Sequence, residues 1–171
     1  DLGVVTPETV TRHGIKSHHN FPNKRLIIHY LQPHHPFIGP TGKRYFSHQS
    51  SSLRKVIQNS SSEVTQEIVR KAYVENLERV LRSVEELLPE LDGKTVVTSD
   101  HGEMLGERLQ YVPIRGFGHP YAMYNDYTTK VPWNVIESDD RKEIVEEDSI
   151  QQEDSDLQEI NDRLRNLGYV V

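Results

Sequence analysis

Asp100 and His101 stand together at the end of a short β-branched run, Thr95-Val96-Val97-Thr98-Ser99. A continuous apolar run of this length reads as a strand buried on both faces. In open α/β sheets, ligand and metal chemistry collects just beyond the carboxyl ends of such strands. A carboxylate beside an imidazole at that point supplies half of a divalent-metal shell. Gly102 follows, and a residue without Cβ lets the chain turn sharply and lets an anion approach the backbone. Two further imidazoles lie in stiffened loops. His34 sits in Gln32-Pro33-His34-His35-Pro36, where each proline fixes its own φ and restricts the residue before it. His119 sits in Gly116-Phe117-Gly118-His119-Pro120, where glycines permit a tight fold and Pro120 stiffens the exit. Arg115, just upstream, is a candidate second anion contact. Glu103 is assigned to ordering the loop through hydrogen bonds behind the metal ligands.

These residues need elements to hold them. Thr6-Pro7-Glu8 reads as a helix start, and the helix runs to about Asn20 before Phe21-Pro22-Asn23 breaks it. His13, His18 and His19 do not share one face of that helix, so they read as solvated surface rather than a metal site. Lys24–Leu31 reads as a strand feeding the His34 loop, with His29 as a satisfied core histidine and His35 covering the loop. Residues 41–62 are polar and turn-rich, with a short helix expected near Leu53–Gln58. The longest helix is expected from Ser62 or Glu63 to Leu88, where Val64, Ile68, Ala72, Leu77, Val80, Leu81, Val84, Leu87 and Leu88 follow spacings of three and four. Tyr73 and Asn76 on it are assigned to packing. The turn Leu91-Asp92-Gly93-Lys94 then leads into the strand over 94–99. Met104 to about Thr129 reads as a long loop, a length that in compact domains is usually functional. A last strand covers 130–136, with Pro132 arguing for an edge position. Residues 138–156 read as an acidic linker. A closing helix carries Leu157, Ile160, Leu164 and Leu167 and stops at Gly168.

The string Thr98-Ser99-Asp100-His101-Gly102-Glu103-Met104-Leu105-Gly106-Glu107-Arg108 resembles the metal-binding loop of the sulfatase family, in the alkaline phosphatase-like superfamily. Gln32–Pro36, Gly116–Pro120 and the closing Arg163–Val170 fall in the order that family would have them. The resemblance implies an alkaline phosphatase-like three-layer α/β/α sandwich, present in part as the carboxy-terminal portion of the domain. It implies Asp100 and His101 as ligands of one divalent ion (Ca²⁺, Mn²⁺, Zn²⁺ or Mg²⁺). It also implies His34 and His119 as the catalytic and oxyanion-binding histidines, with Arg115 beside them. The substrate class would be a small-molecule or saccharide sulfate or phosphate ester. The family's nucleophile and its acidic amino-terminal ligands have no counterpart here: the chain has no cysteine and no Ser-x-Pro-x-Arg or Asp-Asp-Leu run. The expectation is therefore self-association or pairing with a missing amino-terminal half.

Composition sets the outer bounds. At 171 residues the chain fits a single domain over 1–171 able to bury a core. Hydrophobic residues at 35% and charged residues at 27% place it with globular rather than disordered chains. A net charge of −6 argues against nucleic acid or an anionic membrane surface as partner. There is no apolar run long enough for a membrane span and no leader-like start, which favours a soluble, cytoplasmic reading. Two functions remain: a sulfatase-like ester hydrolase or transferase, or a catalytically inactive α/β binding module derived from that fold.

Overall fold

Pro7 is the residue from which the first helix follows. Thr6 is extended (φ −79°, ψ 154°), and proline, pre-set for helical φ, opens α1, Pro7–Asn20. The helix ends where the Phe21 N–H bonds the Ser17 carbonyl at 2.9 Å. The computed structural model describes residues 4–46, 53, 57, 63–109, 113–138, 141–146 and 160–161. Within them α2 spans Pro40–Tyr45, α3 Gln66–Leu87 and α4 Asp126–Thr129. The strands are β1 Thr95–Thr98, β2 Met104–Arg108, β3 Arg115–Gly118 and β4 Trp133–Ile136. A single 3₁₀ turn, Leu88–Glu90, carries the chain off α3.

α3 is the spine. It starts at Gln66, later than the Ser62 or Glu63 expected, because Thr65 caps it by accepting from the Ile68 N–H at 3.3 Å. Its buried residues Val69, Ala72, Asn76, Val80, Ser83 and Leu87 step by three and four, one face of a 3.6-residue period. Val69 and Ala72 enter the core with Phe37, Phe46 and Leu53, the two phenylalanine rings meeting edge-on at 5.1 Å. Further along, α1 lies against α3. The Thr11 hydroxyl donates to the Ser83 carbonyl at 3.0 Å, and the Arg79 guanidinium clasps Glu8 at 2.6 and 3.0 Å. Glu75 secures α2, accepting from the Thr41 N–H at 2.8 Å and the Thr41 hydroxyl at 2.6 Å.

The chain is a mixed helix-and-strand structure with two small antiparallel sheets among its described residues. β1 pairs with β4 from Thr95↔Ile136 to Thr98↔Trp133. β2 and β3 form a hairpin, Met104↔Gly118 to Arg108↔Arg115, with a bulge between Leu105 and Glu107. Gly106 occupies that bulge at φ +100°, a conformation L side chains rarely adopt.

Several expectations are corrected. The long loop from Met104 is the β2–β3 hairpin, hidden because its glycines lower strand propensity. Lys24–Leu31 belongs to no strand pairing among the described residues. It is extended all the same: Leu26, Ile28 and Tyr30 turn partly inward, while Ile27 is 96% exposed and His29 is exposed rather than core. β1 is not buried on both faces, since its burial alternates and Val96 is 37% exposed. On α1, His13 and His19 are solvated but His18 is buried. The turn after α3 covers it, its Nε2 lying 3.2 Å from Asp92 Oδ1. Residues 141–146 lie beside this corner: Lys142 is 3.7 Å from Asp92, and the Val145 N–H bonds the Asn23 carbonyl at 3.0 Å. Most of the helix expected near Leu53–Gln58, most of the closing helix and the later part of the acidic linker lie outside the described residues. No helix among the described residues is long and apolar enough to cross a membrane.

Candidate metal and oxyanion site

Each candidate side chain is fixed by the backbone that carries it. β1 ends at Thr98, whose hydroxyl donates to the Pro132 carbonyl at 2.7 Å, and the chain turns through Asp100–Glu103. The Gly102 N–H bonds the Thr128 carbonyl at 3.0 Å. A Cβ on Gly102 would lie 2.1 Å from the Tyr127 carbonyl oxygen, so only glycine permits this approach. α4 is held ready for that contact by Asn125. Its Oδ1 accepts from the Tyr127 and Thr128 N–H groups, while the Thr128 hydroxyl accepts from the Asn125 N–H. The turn leaves the Asp100 side chain about half exposed, with its Oδ1 accepting from the His101 N–H at 3.0 Å.

The His34 loop is tied to α3 by one side chain. Asn76, fully buried, accepts from the Ile38 N–H through Oδ1 at 2.9 Å. Its Nδ2 donates to the carbonyls of Pro33, His34 and Pro36 at 3.2–3.4 Å. The Gln32–Pro33 and His35–Pro36 peptides are cis. Within the loop His34 Nδ1 donates to the His35 carbonyl at 2.5 Å. A carbonyl can only accept, so Nδ1 carries the proton and the neutral ring offers a lone pair at Nε2. The same logic holds for His101, whose Nδ1 donates to the Gly102 carbonyl at 2.9 Å. His119 follows Gly118 (φ +77°) at the end of β3.

These pieces converge. His34 and His119 meet through their Nε2 atoms at 3.2 Å, and the rings of His101 and His119 lie 4.1 Å apart between centroids. Glu103 closes the group: its side chain is 5% exposed and its Oε1 lies 3.9 Å from His34 Nε2. That oxygen is buried without a hydrogen-bond partner among the described residues. Burial holds His34 at about 4, with the neighbouring His35 adding to the effect. Burial, then the charges His101 and His34 would carry, hold His119 at about 4 as well. Burial raises Glu103 to about 8, and the charge of Asp100 pushes it the same way. Tyr73 is raised to about 12, first by burial and then by Glu103.

The structure thus gathers His34, His101 and His119, with Asp100 adjoining through His101. Arg115 is engaged elsewhere, on the hairpin, donating to Gln66 Oε1 and, at 2.8 Å, to the Gly106 carbonyl. Sequence reasoning set Glu103 behind the ligands, and the structure buries it beside His34. Its place in the Asp-His-Gly-Glu string was visible, but its burial was not. Asn76 was assigned to packing, and its role in tying down four backbone groups has no local signature. Comparison with protein-family models, with curated proteins and with solved structures finds no match.

Proposed function

We propose that this chain carries part of the metal and oxyanion site of a sulfatase-like hydrolase or transferase acting on sulfate or phosphate esters, within an alkaline phosphatase-like α/β/α architecture. The observation that carries the reading is the convergence of His34, His101, Glu103 and His119 beyond the carboxyl end of β1. The donor set fits a divalent ion: the Asp100 carboxylate and the His101 imidazole, 3.7 Å apart, offer one oxygen and one nitrogen ligand.

Asp100 and His101 would hold the ion, which when bound would supply Lewis-acid stabilisation of charge on the ester oxygens. His34 and His119 do different work. Both rings are neutral at pH 7 and escape the repulsion of two imidazolium rings whose Nε2 atoms lie 3.2 Å apart; His34, protonated at Nδ1, presents a lone pair at Nε2, while His119 can donate its one N–H to an ester oxygen. Partial burial strengthens that hydrogen bond by lowering the local dielectric. The residue set holds no nucleophile, and the sequence has neither a cysteine nor a Ser-x-Pro-x-Arg run to supply the family's. That same feature favours the second reading, a catalytically inactive binding module.

The two readings separate on p-nitrophenyl sulfate and p-nitrophenyl phosphate, assayed with Ca²⁺, Mn²⁺, Zn²⁺ and Mg²⁺ in turn. Metal-dependent turnover that Asp100→Ala abolishes supports the hydrolase. Absence of both turnover and metal binding leaves the binding module.

A further inference from the structure

We infer that His34, Glu103 and His119 form a site of their own for a borderline transition-metal ion, Zn²⁺ or Co²⁺, separate from the Asp100–His101 pair. Three observations carry it. One ligand atom from each residue lies within 4.8 Å of the others. The two Nε2 atoms stand 3.2 Å apart, close to the ~3.4 Å edge of a tetrahedron whose zinc–nitrogen bonds are about 2.0–2.1 Å. Glu103 Oε1 is buried at the same spot with no hydrogen-bond donor among the described residues, and a buried carboxylate oxygen is costly unless a cation or donor meets it.

The surroundings suit a ligand cage. His34 donates its far ring nitrogen to the His35 carbonyl, the outer contact that fixes the tautomer and orientation of a metal-binding imidazole. Asn76 clamps the loop on both sides of His34, so the ring is positioned before any ion arrives. Two imidazoles and one carboxylate favour zinc or cobalt over Ca²⁺ and Mg²⁺, which take oxygen shells. Three protein ligands leave a fourth position for water or an anion oxygen. The inference needs only binding and stands whether or not the chain hydrolyses esters.

The test uses the full chain stripped with chelator and titrated with Co²⁺, reading the visible absorption of tetrahedral cobalt, then Zn²⁺ displacement by calorimetry. One tetrahedral cobalt is expected at this site, its spectrum unmoved by excess Ca²⁺, with any ion at the Asp100–His101 pair binding as a separate step. Glu103→Gln keeps the shape of the side chain and removes a buried acid. It and His119→Ala should each weaken binding at least ~100-fold, since even outer contacts are worth about 10–100-fold. Far-UV circular dichroism checks that each variant folds, and His34→Gln replaces any that does not. Tetrahedral cobalt binding that survives both substitutions, or that Asp100→Asn abolishes, overturns the assignment, as does an octahedral spectrum alone.

Discussion

His34, Glu103 and His119 are each held away from their ordinary titration range by burial, and they pull stability in opposite directions. Both histidines sit at about 4 in the folded chain against about 6.5 in the open one. The folded state therefore binds fewer protons, and their contribution is present above pH 6.5 and lost as pH falls toward 4. Glu103 is raised to about 8, so it holds a proton that the unfolded chain releases above pH 4.5. Its contribution is full below pH 4.5 and lost as pH rises toward 8. Two imidazoles outweigh one carboxyl between pH 4.5 and 6.5, and the carboxyl acts alone above that. The metal-stripped chain should thus be most stable near pH 6.5, declining on both sides, in thermal melts across pH 4–9. Glu103→Gln should flatten the alkaline decline. A flank that stays as steep in the variant would remove Glu103 from this account.

At the scale of elements, the contact between α3 and the His34 loop decides whether a site exists. Asn76 contributes one side chain and satisfies the Ile38 N–H together with the Pro33, His34 and Pro36 carbonyls. Asn76→Leu keeps the volume but leaves those groups buried without partners. Each unmet group costs about 1–3 kcal/mol, and relaxation lets water reach some of them, so a net loss of roughly 2–4 kcal/mol is expected in urea unfolding. Hydrogen exchange over residues 32–38 should quicken in parallel. A variant as stable as the parent would show that the loop holds itself. The elements differed in how far sequence exposed them. α1 and α3 were legible because a proline start and three-to-four spacing are local signals, although the cap of α3 fell at Thr65 rather than upstream. The β2–β3 hairpin was not, because Met104–Arg108 and Arg115–Gly118 have no alternating apolar pattern and depend on cross-strand pairing. Lys24–Leu31 has the composition of a strand, yet pairing is a property of neighbours, and none is in place among the described residues.

For the whole molecule, the exposed apolar surface is the feature with consequences. Ile27 is 96% exposed, Trp133 70% and Val96 37%, all on extended segments. Extended backbone with unmet edges and bare apolar side chains pairs readily with another chain. The isolated chain is expected to associate with itself as concentration rises in sizing and light scattering. Ile27→Lys, which places a charge on the extended segment, should reduce that association without lowering the melting temperature. A monodisperse monomer with one cooperative transition at every concentration would be the contrary result.

Residue order alone determined which side chains could do chemistry here: an acid and an imidazole at a strand end, two more imidazoles in proline- and glycine-stiffened loops, and the helices built to carry them. Propensity, capping and metal preference are properties of a residue and its near neighbours, and so they can be read along a line. Only the tertiary structure decided that His34 and His119, 85 positions apart, touch through their Nε2 atoms. It alone withdrew Arg115 to the hairpin and sealed Glu103 among the histidines. Burial and pairing depend on segments distant in the chain, and it is burial that turns a loop-ordering glutamate into an oxygen without a partner.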